Sequence, residues 1–507
     1  MNDIEHGRVK VADQEATQRL RWVAPVLLVL FVAAIIAINP VGFVGGGADD
    51  AEYLIAARCW VAAGEPCLAH THWASRWPVV GPLALATGLF GESRASVGLA
   101  PLLYLAASLA LMVRIGDRLF GRPSGMIAAA ALMVTPAFAV QALDPAADAA
   151  EIAWQLAAFA AGLLAYDRNS RRWAAASGIA LGIAAAARDT SLLMFPIAAL
   201  AAVYFGRDRR ALWWLIPAMI VPMVIEAASY ALVAGDPFWR FRLSLGHVGI
   251  PSAELPAGFD TSQSPLLNPD YIANWRRETG IHVFWPIDPW LNLLFGARIG
   301  ATLFAAMLLG LFYARRSLSP SARRALLILS GGALFYSAML VYGLAIDPKS
   351  RMFFVLAAAA SFAIGAITVR EWSGHGKLGV VVTLIALAAI GTLIIAISGQ
   401  SYSSERAVIG WIKHYPRQIE VDVATRRYLA LVRSVDPLPD RGSGKPLLIV
   451  KSSNRCSDFV RPDPGHSPKA LIVEAHQMGG SARMSEASVS EMCLLRYTAA
   501  FRRDVRP

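Results

Sequence analysis

Apolar runs long enough to cross a bilayer recur along the chain from Arg21 to Ser398, and few folds can absorb so many. About 20 apolar residues in a helix span ~30 Å of hydrocarbon at ~1.5 Å per residue. Only 16% of the 507 residues are charged and 56% are hydrophobic, whereas a soluble domain is about a quarter charged. The expected fold is therefore a polytopic α-helical membrane protein. The first run does not read as a cleavable signal: it is long and leads into NPVGFVGGG without a small-residue cleavage pattern. The formal charge of +11 does not call for nucleic acid. Lys and Arg collect in the short loops that the positive-inside rule places in the cytoplasm.

Eleven spans are expected, at about 22–43, 96–113, 124–142, 149–166, 173–187, 190–205, 212–233, 298–314, 325–345, 352–369 and 378–398. Residues 1–21 then lie in the cytoplasm, 22–398 form the transmembrane module, and loops 44–95 and 235–297 face outward. The runs 173–187 and 190–205 are short for a span. Either they tilt little and are flanked by snorkelling residues, or the Arg188 end stops inside a water-filled cavity. Residues 399–507 change character. QIEVDV, PLLIV and KALIVEA have strand patterning, and ATRRYLALVRSV and SEASVSEMCLLRY have helical spacing, which predicts a small α/β domain on the outer face. It has no glycine-rich phosphate loop, so no nucleotide is assigned to it. All four cysteines fall in segments placed outside. An oxidising compartment permits disulfides, and Cys59–Cys67 and Cys456–Cys493 are the natural pairs, although spacing alone does not fix connectivity.

The densest chemistry lies in the first outer loop. Asp49 and Asp50 stand just beyond the first span. One of them caps the helix AEYLIAARCWVAAG, or one serves as a general base; both readings remain open. Arg76, between Trp73 and Trp77, is either an interfacial anchor or a phosphate ligand. His70 and His72 lack a matched third metal ligand. Asp144 and Asp148 open the fourth span, one as a helix cap or both as a second carboxylate site. Arg188 either pairs with Asp189 at a turn or binds phosphate, and Arg351 in DPKSRMFF begins the tenth span on the same outer side. GDPFWRFRLSLGH reads as an interfacial amphipathic helix whose Arg240 and Arg242 meet lipid headgroups.

In order, GGGADDAEYLIAARCWVAAGEP, SRWPVVGPLALATGLFG, TPAFAVQALDPAADAAEIAWQLAAF, SGIALGIAAAARDTSLLMFP, GDPFWRF and DPKSRMFFVLAAAA resemble the GT-C superfamily of membrane glycosyltransferases. The likeness is to the branch with protein O-mannosyltransferases and the aminoarabinose transferase of lipid A, over about residues 20–400. The resemblance implies a polyprenyl-phosphate-linked sugar as donor and a lipid, glycan or protein acceptor. It implies an inverting reaction, a plasma or bacterial inner membrane, and an acidic base matching Asp49 or Asp50. Arg188 and Arg351 match its phosphate-binding positions, and the acidic position of the fourth span matches Asp144 or Asp148. A divalent metal is compatible with the scheme, but no clear ligand set stands in the sequence. A flippase for lipid-linked saccharides and a non-catalytic envelope assembly protein are the alternatives. A transporter would be expected to show inverted repeats and paired broken helices, and no such internal symmetry is visible.

Overall fold

The computed structural model describes residues 49–69, 71–91, 94–133, 145–207, 209–245, 320–343 and 353–371, a few isolated positions, and four short strands near the C-terminus. The described helices are α1 (Asp49–Ala63), α2 (Trp77–Phe90), α3 (Arg94–Phe120), α4 (Ser124–Met133), α5 (Ala147–Arg168) and α6 (Arg171–Ala187). They continue with α7 (Met194–Gly206), α8 (Leu215–Ala234), α9 (Trp239–Leu245), α10 (Pro320–Ala338) and α11 (Phe354–Glu371). Short 3-10 turns, Asp189–Leu193 and Arg210–Trp214, lead into α7 and α8. Among the described residues four helical segments are long and apolar enough to cross a membrane: Ala95–Phe120, Ala147–Arg168, Asp189–Gly206 and Arg210–Ala234. These coincide with the second, fourth, sixth and seventh expected spans. The first, eighth and eleventh lie outside the described residues.

Small residues set the helix spacing. In SGIALG, Gly178 and Gly182 of α6 lie against the backbone of α8: a Cβ on Gly178 would stand 2.3 Å from the Leu215 carbonyl oxygen, and one on Gly182 2.5 Å from that of Met219. Two glycines four apart put both backbones in contact, the usual solution where hydrocarbon gives no hydrophobic drive to association. Alanines then fill the seams of α5, α6, α7 and α8, while Leu105, Met112, Leu132, Leu156, Phe354 and Phe362 form a second core among α3, α4, α5 and α11. Helix α5 closes on Asn169, which adopts φ +46°. Asparagine tolerates that left-handed conformation better than most residues.

Two expectations need revision. The segment expected as outer loop 44–95 contains two helices, α1 and α2, and the second was not foreseen. Its Pro78 sits at the start, where a helix needs no N–H donor, so the proline permits the helix instead of breaking it. In the C-terminal segment the strands Ile419–Val421, Leu447–Ile449 and Ala470–Ala475 fall where strands were expected. Residues 485–487, expected to begin a helix, instead belong to the strand Ala482–Ala487, paired antiparallel with Ala470–Ala475. Pairing with the strand just before it overrides local helical spacing there.

Candidate functional site

Helices α5, α7 and α11 start at one end of the bundle, where α6, α8 and α10 finish, and the charged residues of that end converge. Helix α5 begins at Ala147 with Asp148 in its first turn and Glu151 one turn on, so both carboxylates share a face. The cap is Ala146, not Asp148. Helix α6 ends at Arg188, whose backbone N–H bonds the Ala184 carbonyl. The Arg188 guanidinium turns inward, donates to Asp148 and lies 3.5 Å from Glu151 Oε2. Asp148, Glu151 and Arg188 are only 5%, 6% and 7% exposed, so the group is sealed from solvent.

Glu151 is the hub. Its Oε1 accepts hydrogen bonds from Ser191 Oγ at 2.6 Å, Tyr336 OH at 2.8 Å, and Gln155 Nε2 and Thr190 Oγ1 at 3.3 Å. These partners come from α5, the turn after α6, and α10. Buried ions persist only when paired and hydrogen-bonded, and Glu151 meets both conditions. Burial lowers the proton affinity of Arg188, but Asp148 and Glu151 raise it further, so the guanidinium stays charged.

A second knot closes the same end. Asp189 does not pair with its neighbour Arg188. It accepts from Arg240 Nη2 at 2.7 Å and Nε at 3.1 Å, and from Ser244 at 2.7 Å. Arg240 also makes two 2.9 Å bonds to Glu226 of α8 and one of 2.8 Å to the Ala185 carbonyl. Burial acts against its charge, but Asp189 and Glu226 outweigh that and raise its pKa. For Arg240 the expectation of lipid headgroups is therefore corrected, since it is 4% exposed; Arg242 bonds Asp236 at 2.6 Å and stays exposed. Helix α9 is pinned to the bundle because α8 carries a lone carboxylate that needs a cation.

The segment around α1 and α2 packs over this knot. Trp239 Nε1 donates to the Ala69 carbonyl at 2.8 Å, and the disulfide Cys59–Cys67 ties the end of α1 to that loop. Arg76 Nη1 donates to Tyr53 OH at 2.5 Å, while its Nε is buried without a hydrogen-bond partner. Arg76 is within electrostatic reach of Asp189, and Tyr53 within that of Arg188. The structure thus brings together Arg76, Asp148 and Arg188. The backbone of Asp49 and Asp50 forms the start of α1, one turn before Tyr53. Asp144, Arg351, His70 and the pair Cys456–Cys493 lie outside the described residues. His72 is buried and stacks on Trp73, centroids 3.8 Å apart. Among the described residues no three His, Cys, Asp or Glu side chains are grouped to hold a metal ion.

An apolar cavity of about 580 Å³ runs from Ile152 and Gln155 toward the other end of the bundle, between α5, α7 and α10. Leu156, Phe159, Ile197, Ala201, Ile328 and Leu329 are among its walls. Gln155 both lines it and donates to Ser191 of the charged cluster at 2.9 Å. Sequence reading missed Glu151, Gln155 and Tyr336. The signal was present in DAAEIAWQ, where Asp, Glu and Gln recur at helical spacing inside a span, and polar residues there are rarely idle.

Among solved structures, ArnT from Cupriavidus metallidurans bound to undecaprenyl phosphate aligns with TM-score 0.55 and 14% identity, over 94% of this chain and 96% of that one. The chain shares the fold of that structure. The archaeal oligosaccharyltransferase AglB from Archaeoglobus fulgidus, in complex with an inhibitory peptide and a dolichol-phosphate, aligns with TM-score 0.47 and 13% identity, over 83% of this chain and 65% of that one. Residues 78–232 match the family model described as dolichyl-phosphate-mannose-protein mannosyltransferase. That stretch runs from α2 through α8 and contains Asp148, Glu151, Arg188 and Glu226. No curated protein matches the chain in sequence.

Proposed function

We propose that this protein transfers a sugar from a polyprenyl-phosphate donor to a lipid, glycan or protein acceptor on the outer side of the membrane. One observation carries the reading: a buried charged cluster joined, through Gln155, to a long apolar cavity. A lipid-phosphate sugar has the same division into an apolar chain and a charged, hydrogen-bonding head. The ArnT structure, bound to undecaprenyl phosphate, supports that choice of donor.

The acceptor oxygen attacks the anomeric carbon as the bond from that carbon to the phosphate oxygen breaks. Polyprenyl phosphate leaves with the electron pair, and a carboxylate takes the acceptor's proton. A single displacement of this kind inverts the anomeric centre. Asp49 or Asp50 is the base. Asp49 lies about 40° around α1 from Tyr53 and Asp50 about 60°, at ~100° per residue, which gives Asp49 the better approach to the Tyr53 side. Arg76 offers its unpartnered Nε to the phosphate, with Arg351 as the second cation. Arg188 is already neutralised by Asp148 and Glu151, so its part is to hold the floor of the site. Asp144 orients the acceptor.

The test is purified full-length protein with a radiolabelled polyprenyl-phosphate sugar and an envelope extract as acceptor. Label should move from lipid to acceptor. Label that crosses a vesicle membrane while still on its lipid would replace the enzyme with a transporter.

A further inference from the structure

The cavity has an exposed end that the glycosyltransferase reading does not use. At the end remote from Arg188 it opens beside Arg118, Tyr166, Asp167 and Arg324. Arg118 pairs with Asp167, Arg324 is exposed, and Arg209 lies 5.6 Å over the Tyr166 ring. Around this mouth, among the described residues, three guanidiniums thus face one carboxylate. The Arg188 end has the opposite balance: Asp148, Glu151, Asp189 and Glu226 meet Arg76, Arg188 and Arg240. An anionic amphiphile entering the cavity without a dedicated headgroup site would settle with its charge at the Arg118 mouth.

The length fits a phospholipid. Ile152 and Asp167, at the two ends of the cavity wall on α5, are fifteen residues apart, which is ~22 Å of helix. Half the hydrocarbon core of a bilayer is ~15 Å. The wall is therefore long enough for one acyl chain. Its Arg118 end lies among arginines stacked on aromatic rings: Arg168 lies 6.0 Å over Trp173, and Arg171 5.8 Å over Trp214. Such residues sit at headgroup depth and are drawn to anionic lipid.

We propose that the Arg118 mouth binds an anionic phospholipid from the adjoining leaflet, with its phosphate on Arg324 beside Arg118 and one acyl chain in the cavity. The occupant is a lipid of the surrounding membrane, distinct in headgroup, leaflet and orientation from the sugar donor. Both would use the same apolar wall, so they exclude one another.

The experiment is native mass spectrometry of the full-length protein released from micelles containing phosphatidylglycerol or phosphatidylcholine with identical acyl chains. Phosphatidylglycerol should be retained at least tenfold better. Arg324→Gln should lose most of that preference and Arg324→Glu all of it. Arg324 is exposed, so both variants should unfold at the wild-type temperature. Phosphatidylglycerol with a photoreactive acyl chain should label peptides carrying Ile197, Ala201 or Ile328. Equal retention of the two lipids overturns the proposal, as does selectivity that survives Arg324→Glu. Labelling confined to the outward-facing Val224 and Ile225 of α8 does the same. No readout depends on sugar transfer, so this inference and the proposed activity fail separately.

Discussion

The two ends of the helix bundle treat the same residue type in opposite ways. At the Arg188 end, arginines are withdrawn into the protein and surrounded by carboxylates from other helices. At the Arg118 end, arginines lie across aromatic rings or in half-exposed pairs. Burying an ion costs several kcal/mol unless partners compensate it, so the first arrangement must be specified residue by residue. The second needs only a membrane surface, since a snorkelling arginine keeps its head in water. Under the proposed function the expensive end is where the reaction is held in place, and the cheap end is where the protein meets its solvent.

The sharpest test of this contrast is removal of one buried partner. Arg188→Ala leaves Asp148 and Glu151 facing each other without their cation, and should cost roughly 3–5 kcal/mol. Thermal unfolding in detergent should show a large fall in Tm, and Arg188→Lys should recover part of it. A Tm within error of wild type for Arg188→Ala would mean that the pair is solvated and the contrast false.

Next comes the separation of chemistry from support at the same end. Asp49→Asn and Asp50→Asn keep shape near the α1 terminus and remove basicity. The right one should lower turnover by about a hundredfold or more with Tm unchanged. Normal transfer by both single variants and by the double would move the base to Asp144 or Asp148.

How far the sequence foretold this depends on whether a contact is local. Span positions were legible because apolar length and flanking arginines are local properties; α5, expected at 149–166, runs Ala147–Arg168. The α6 end was half legible: one reading of SGIALGIAAAARD ended it inside a water-filled cavity, and Arg188 instead ends it inside the protein among buried carboxylates. Arg188 and Asp148 were singled out separately, yet nothing local says that they meet across forty positions. The obvious partner, Asp189, is taken by Arg240, which the aromatic pattern of GDPFWRFRLSLGH had assigned to lipid. Glu226 was the missed clue. A lone carboxylate in an apolar run demands a cation, and α9 supplies the nearest one in sequence.

A milder perturbation separates hub from pair. Tyr336→Phe deletes one donor to Glu151 and leaves Ser191, Gln155, Thr190 and Arg188 in place. A hydrogen bond to a charged group contributes ~1.5–3 kcal/mol, and the remaining donors should hold the loss near the lower figure. Ser191→Ala, which removes the shortest bond to the same oxygen, should cost more. If Tyr336→Phe proves as damaging as Arg188→Ala, Glu151 depends on the link to α10 more than on its charge partner, and the hub is the stronger element.

The smallest effect belongs to the other end. Arg118 and Asp167 form an ion pair in which the side chains are 40% and 42% exposed. Such pairs contribute about 0.2–1 kcal/mol, because water screens the attraction and two long side chains lose freedom to form it. Asp167→Asn should lower Tm only slightly, and the difference should shrink as salt rises toward 1 M, where the Debye length falls to ~3 Å. The Arg188→Ala deficit should persist at the same salt, since counterions do not reach a cluster sealed by α5, α6 and α10. Run side by side, the two titrations decide whether the ends differ in kind. A salt-insensitive Asp167→Asn defect would show that this pair is held by the fold as the Arg188 cluster is. A salt-sensitive Arg188 defect would show that the cluster is open to solvent.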